Sequence, residues 1–207
     1  SPSVDKGLIP EGQGVPPNLT ELLSDLDDKA WMENFVTEKY LTDPQSEVQK
    51  KLRTREDGIT AQRGDALSEQ EYSKHSPDVI EKFRLMQRGE ELPERMRTKK
   101  FSQRVLPREW GDGGPSITAT SLPDDYVHYS EPRVLTVREW ARLQMFPDWY
   151  VFSGKRTTGG RRRAGDPSIG DWNREVPKYT QIGNAVPVGL ASKVGAHLMG
   201  ILNLAES

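Results

Sequence analysis

From Thr136 to Gln144 the apolar positions Val137, Trp140 and Ala141, together with Gln144, fall on one face at spacings of three and four, the period of a helix. Thr136 followed three residues later by Glu139 forms a capping box, in which the hydroxyl takes the N3 amide and the carboxylate reaches back to the cap amide. The helix therefore starts at Thr136, and Pro147 requires it to stop just before Phe146. Upstream, Asn18 caps a helix through Leu19, Leu22, Leu23 and Leu26, and a second helical segment carries Trp31, Phe35 and Tyr40. Ser46 to Arg55 reads as a solvated helix, and Glu56 to Ala66 as a loop that turns at Asp57-Gly58. Ser76-Pro77 opens a helix with Val79, Ile80, Phe83 and Met86 on one face and Gly89 as its stop. Pro115 to Thr120 follows a glycine turn as a short strand. Gly183 is expected to turn the backbone, so that Gly183-Asn184-Ala185 forms a tight loop at a helix N-terminus with free amides facing outward. Pro187 then begins a last helix that buries Leu190, Ala191, Val194, Leu198, Ile201 and Leu202. The pattern predicts an α+β domain with short strands in its middle and helices at both ends.

Composition narrows this picture. Of 207 residues, 34% are hydrophobic and 29% charged, which implies a modest core and long loops. No apolar run near the eighteen residues of a membrane span and no signal peptide is expected, so the expected setting is soluble and intracellular, without a membrane partner. The complete absence of cysteine excludes disulfides, thiolate metal sites and a thiol nucleophile within these residues. With His75, His128 and His197 widely separated, no metal site is expected.

Charge is unevenly distributed. Ser1 to Val48 holds ten acidic and three basic residues, so a net charge of -2 leaves the remainder at +5. Arg95, Arg97, Lys99, Lys100, Arg104 and Arg108 fall within fourteen residues that contain no acid, and Lys155, Arg156, Arg161, Arg162 and Arg163 surround a glycine pair. Such runs are either solvated faces or phosphate contacts, and arginine forks also suit guanine edges. Thr118 and Thr120 share one side of the expected strand, where hydroxyls either meet phosphate or simply line an edge.

Two blocks carry a resemblance. Arg133-Val134-Leu135-Thr136-Val137-Arg138-Glu139-Trp140-Ala141-Arg142-Leu143-Gln144-Met145-Phe146-Pro147-Asp148 and Gln181-Ile182-Gly183-Asn184-Ala185-Val186-Pro187 resemble the last two signature blocks of the DNA (cytosine-5)-methyltransferases. Lys74 to Phe83 is similar to a segment ahead of that family's recognition region, and Pro115 to Thr120 to an element at its lower edge. His75, beside the first of these, is expected to be a surface or cap residue.

The resemblance implies a small target-recognition domain that lacks the catalytic Rossmann-like half. Gly- and Pro-rich composition without periodicity marks a flexible arm (1–17), and the resemblance divides the rest into a helical segment with the recognition region (18–131) and the C-terminal blocks (132–207) with a basic insertion (152–177) and a final helix. In the family a cysteine thiolate attacks C6 of a flipped cytosine and S-adenosylmethionine methylates C5. No cysteine or matching P-C-Q block occurs here, so no catalytic residue is assigned and the chain alone is expected to be inactive.

Asn184 and Ala185 match positions that hold the methionine end of S-adenosylmethionine, a cofactor expected only together with the catalytic half. Arg133, Thr136, Arg138 and Glu139 match structural positions, and Arg142 and Gln144 belong to the same scaffold. The implied partners are a catalytic half or subunit and double-stranded DNA, the DNA contacted through Arg95, Arg97, Lys99, Lys100, Arg104, Thr118, Thr120, Lys155, Arg156, Arg161, Arg162 and Arg163. A cytoplasmic location follows, nucleoid-associated if bacterial. The competing reading is a catalytically inert DNA-binding or protein-interaction module that keeps only the fold.

Overall fold

The computed structural model describes residues 18–97, 103–108, 125–157, 167–170 and 176–205. Six α-helices and two short strands occur among them: α1 (Leu19–Leu23), α2 (Glu47–Arg53), α3 (Pro77–Gln87), β1 (Arg104–Val105), β2 (Tyr126–Val127), α4 (Val137–Leu143), α5 (Lys178–Asn184) and α6 (Val188–Ala205). The strands pair in parallel, Arg104 opposite Tyr126 and Val105 opposite Val127. Among the described residues the fold is α+β with little sheet. The strand expected at Pro115 to Thr120 lies outside the described residues.

Local chemistry explains where the helices begin. Asn18 caps α1 in a full capping box with Glu21, Ser46 caps α2, and Ser76 caps α3 with Pro77 in its first turn. Thr136 caps α4, where both arms of the box with Glu139 are formed. Helix α4 ends in a Schellman turn. The Phe146 amide donates to the Ala141 carbonyl (3.0 Å) and the Met145 amide to the Arg142 carbonyl (2.9 Å), with Met145 at φ +60° where glycine is usual.

The main core lies around α4. Trp140 is fully buried among Leu19, Leu22, Leu23, Leu52, Leu106, Tyr126, Leu135, Phe146, Tyr179 and Ile182, drawn from both ends of the chain. The Tyr179 hydroxyl donates to the Leu135 carbonyl at 2.8 Å, which ties α5 to the entry of α4.

Five expectations change. No helix carries Trp31, Phe35 and Tyr40: only a 3-10 turn forms at Ala30–Met32, Phe35 takes φ +58°, and Tyr40 bonds through its backbone to Gly64 and Asp65. Helix α2 is not simply solvated, because Gln49, Leu52 and Arg53 are buried. His75 is half-buried, stacked edge-on to Phe83 at 5.2 Å. Gly183 lies inside α5 rather than in a tight loop, and the next helix starts only at Val188.

The largest change concerns α6. Leu190, Leu198 and Leu202 are exposed at 47%, 38% and 57% and Ala191 is exposed too, so most of the side expected to be buried is open, with only Val194 and Ile201 half-buried. The helix is fastened chiefly at its start, where the Val188 amide donates to the Gln144 carbonyl (3.0 Å) and Gly189 lies against Met145. Periodicity marks an apolar face but not what covers it. Lys178–Asn203 also contains an eighteen-residue window of mean hydropathy 1.4, so a stretch apolar enough to cross a membrane by length and composition does exist.

Candidate functional site

Helix α4 is the most heavily constrained element. Every residue from Val137 to Arg142 is buried, including three charged ones. Burying those charges requires partners, since an unpaired ion in low dielectric costs several kcal/mol.

Arg142 has two carboxylates. Its Nε donates to Asp148 Oδ1 (3.0 Å) and its guanidinium to Asp148 Oδ2 (2.6 Å), while further N–H groups reach both Asp25 oxygens and the Leu22 carbonyl (2.8 Å). Asp25 also receives Arg53, whose guanidinium lies 3.7 Å from the centre of the Tyr40 ring, and the Tyr40 hydroxyl donates to Asp148 at 2.6 Å. The network joins α1, α2, α4 and the segment after α4.

Glu139 anchors a second network. Its carboxylate accepts both terminal nitrogens of Arg133 (2.7 and 2.8 Å) and the Thr136 amide (2.8 Å). Burial alone would raise its pKa, but the charge and hydrogen bonds of Arg133 outweigh burial and hold it at about 2. The Thr136 hydroxyl donates to Gln70, whose amide faces Glu139 at 3.3 Å. Beside them, His128 Nδ1 accepts the Ser130 and Glu131 amides (3.3 and 3.2 Å), so the neutral ring carries its proton on Nε2, 3.4 Å from Asp27 Oδ1. Burial pushes Asp27 up to about 6 and Glu131 to about 7, and lowers His128 to about 3.

Arg138 staples the platform to the following loop. Its guanidinium donates to the Ser68 carbonyl (3.2 Å) and hydroxyl (3.0 Å) and to the carbonyls of Pro147 (3.2 Å) and Tyr150 (3.0 Å). Of the residues expected on this scaffold, Arg133, Thr136, Arg138, Glu139, Arg142 and Gln144 thus share one buried layer. Sequence reasoning missed the groups that complete it: Asp25, Asp27, Tyr40, Arg53, Gln70 and His128. Only Asp148, inside the first block, carried a signal of its own.

Among the described residues, the expected nucleic-acid contacts lie outside that layer. Arg95 and Arg97 are exposed, Arg95 3.4 Å from Asp78 and Arg97 bonded to the Leu92 carbonyl (2.9 Å) and to Glu91. Exposed pairs of this kind are worth little, so phosphate can replace the acid. Arg104 is exposed on β1, and Lys155 is exposed at the start of the insertion. Arg156 is half-buried, with one guanidinium nitrogen 3.0 Å from the Glu71 carbonyl. Lys99, Lys100, Thr118, Thr120, Arg161, Arg162 and Arg163 lie outside the described residues.

The carried-over cofactor residues correct the loop expectation. Asn184 ends α5 with its side chain exposed, and the Ala185 amide already donates to the Ile182 carbonyl at 3.2 Å. The Val188 amide is also taken, by Gln144. These groups offer one free carboxamide, too few donors by themselves to enclose S-adenosylmethionine.

Comparison with known proteins places this arrangement. The family model described as C-5 cytosine-specific DNA methylase matches residues 6–200. The type II methyltransferase M.DdeI of Desulfomicrobium norvegicum is 38% identical over 84 residues, 41% of this chain and 17% of that protein. M.Eco47II of Escherichia coli is 39% identical over 93 residues, 43% of this chain and 18% of that protein. M.AquIB of Picosynechococcus sp. is 32% identical over 130 residues, 62% of this chain and 84% of that protein. The match thus spans under a fifth of the first two relatives and most of the third.

Proposed function

Because the chain belongs to the C-5 cytosine-specific DNA methylases, we propose that it is the DNA target-recognition subunit or fragment of such an enzyme, acting in restriction-modification, whose catalytic cysteine is supplied by a separate part. The observation that carries this reading is the bare apolar face of α6 on a chain with no cysteine. A large exposed apolar patch marks an interaction site. In M.DdeI and M.Eco47II the matched stretch is only 17% and 18% of the protein, so most of each relative is further polypeptide of the kind that would cover this face. In M.AquIB it is 84%, so that type II methyltransferase chain is itself little longer than the matched stretch.

The division of labour follows from the chemistry. Attack on C6 of cytosine and methyl transfer to C5 require the thiolate and S-adenosylmethionine, and both belong with the covering part. Asn184 and Ala185 add one edge to the cofactor's site when the parts meet. The platform around α4 holds the recognition region rigid, and the cations of 95–108 and 155–163 grip the phosphate backbone, which orients the protein without itself reading sequence. A location with the DNA, cytoplasmic or nucleoid-associated, follows from this role.

The test is fluorescence anisotropy of a labelled mixed-sequence duplex titrated with the chain at several salt concentrations. The expected slope of log affinity on log salt is about -0.9 per phosphate neutralised, with roughly four or more phosphates. Absence of binding at low salt would sink the reading in favour of a protein-interaction module.

A further inference from the structure

The two ends of the 152–177 insertion are brought together and held by a strap of sequence far from it. The Lys178 amide donates to the Lys155 carbonyl at 3.0 Å, and the Gln181 side chain donates to the carbonyls of Ser153 (2.7 Å) and Val176 (2.9 Å). From the strap, Glu69 takes the Lys178 ammonium on both carboxylate oxygens (2.7 and 2.8 Å), and Glu71 takes Arg156 through its carbonyl (3.0 Å) and carboxylate (3.8 Å). Two acids, two residues apart, therefore face one cation at each end of the insertion.

Glu69 is an unusual residue for its place. Its backbone is at φ +66°, a region that favours glycine, and its carbonyl receives the Arg138 amide at 3.0 Å. Left-handed backbone at a residue other than glycine persists where the surroundings enforce it. Glycine would suit the backbone better, but only the carboxylate reaches Lys178. Its side chain is 8% exposed and that of Lys178 is 19% exposed, so this pair is largely withdrawn from solvent, unlike the surface pairs of Arg95 and Arg97.

We propose that Glu69, supported by Glu71, is a positioning residue for the duplex contact of Lys155 and Arg156 at the base of the insertion: it clamps Lys178, whose amide holds Lys155. This rests on the DNA-recognition reading. A clamp lowers the conformational entropy lost when these two cations meet DNA, which is gained affinity without a new contact. It also gives a sign that simple electrostatics does not. Removing an acid beside a cationic segment should strengthen DNA binding through charge alone, whereas opening the clamp weakens it.

Glu69→Gln is measured for amide exchange at Lys178 and for duplex affinity. Exchange at Lys178 should rise by roughly tenfold or more, and affinity should fall roughly three- to tenfold. The charge-exchanged pair Glu69→Lys with Lys178→Glu should recover affinity to within roughly twofold. Unchanged Lys178 exchange, or affinity equal to or above that of the unaltered chain, overturns the proposal and leaves DNA recognition standing. An unaltered chain that does not bind duplex overturns both. If Glu69→Gln does not fold, Lys178→Met carries the same exchange comparison, and unchanged exchange at residue 178 again overturns the proposal.

Discussion

Arg142 is the residue whose partners are least replaceable. It is fully buried between Asp25 and Asp148; Asp25 is also hydrogen-bonded by Arg53, whereas the only other guanidinium near Asp148, that of Arg138, stays 3.9 Å away. Arg142→Met fills similar volume but leaves the buried Asp148 with the Tyr40 hydroxyl and the distant Arg138 guanidinium in place of a two-pronged ion pair. Urea unfolding should show a loss of about 3–5 kcal/mol, the usual cost of breaking a buried ion pair from one side. Asp27 makes a prediction of the opposite kind. Its pKa is raised to about 6 in the fold, so the folded state favours the protonated acid. The stability this confers is fully present below about pH 4 and is lost as pH rises through 6. Asp27→Asn should therefore gain stability relative to the unaltered chain between pH 4.5 and pH 7.5, by on the order of 2 kcal/mol. Equal effects at both pH values in paired urea titrations would contradict it. Glu139, held at about 2, contributes stability above the ordinary carboxylate range and loses it only in strong acid.

At the scale of the element, α4 and α6 are opposites. Helix α4 has seven residues and is closed in on all sides, while α6 has eighteen and is largely uncovered. A seven-residue helix is marginal by itself, and its stability comes from tertiary packing. Trp140→Ala should cost about 3–5 kcal/mol. Truncating α6 side chains should behave differently. Replacing Leu190, Leu198 and Leu202 by serine should change the melting temperature little, because these positions are exposed in the chain itself. The same triple substitution should remove most binding of an apolar fluorescent dye and most association with a cysteine-bearing catalytic part. A large fall in melting temperature would show that α6 is folded against the rest of the chain after all.

For the whole molecule, the central consequence of the proposed function is a separation of binding from chemistry. With no thiol in these residues, incubation with S-adenosylmethionine labelled in its methyl group should leave DNA unlabelled at any protein concentration. Label should enter cytosine only when a catalytic part is added, and the triple serine variant should prevent this while leaving the salt dependence of duplex binding unchanged. Incorporation by the chain alone would contradict the proposed division.

Much of this was legible from residue order. The capping box at Thr136 and Glu139, the Pro77 helix with its Gly89 stop and the end of α4 before Pro147 are local signals, decided within one or two turns by hydrogen bonds and φ angles. Absence of a thiol nucleophile within these residues is compositional. Tertiary structure decided the rest, because it depends on partners distant in sequence. Asp25 and Arg142 are 117 residues apart, and Glu69 and Lys178 are 109 apart, so neither pairing leaves a periodic trace. The same holds for α6: its sequence specified an amphipathic helix, but whether that face is covered is a property of the surrounding surface, and in this chain it is open.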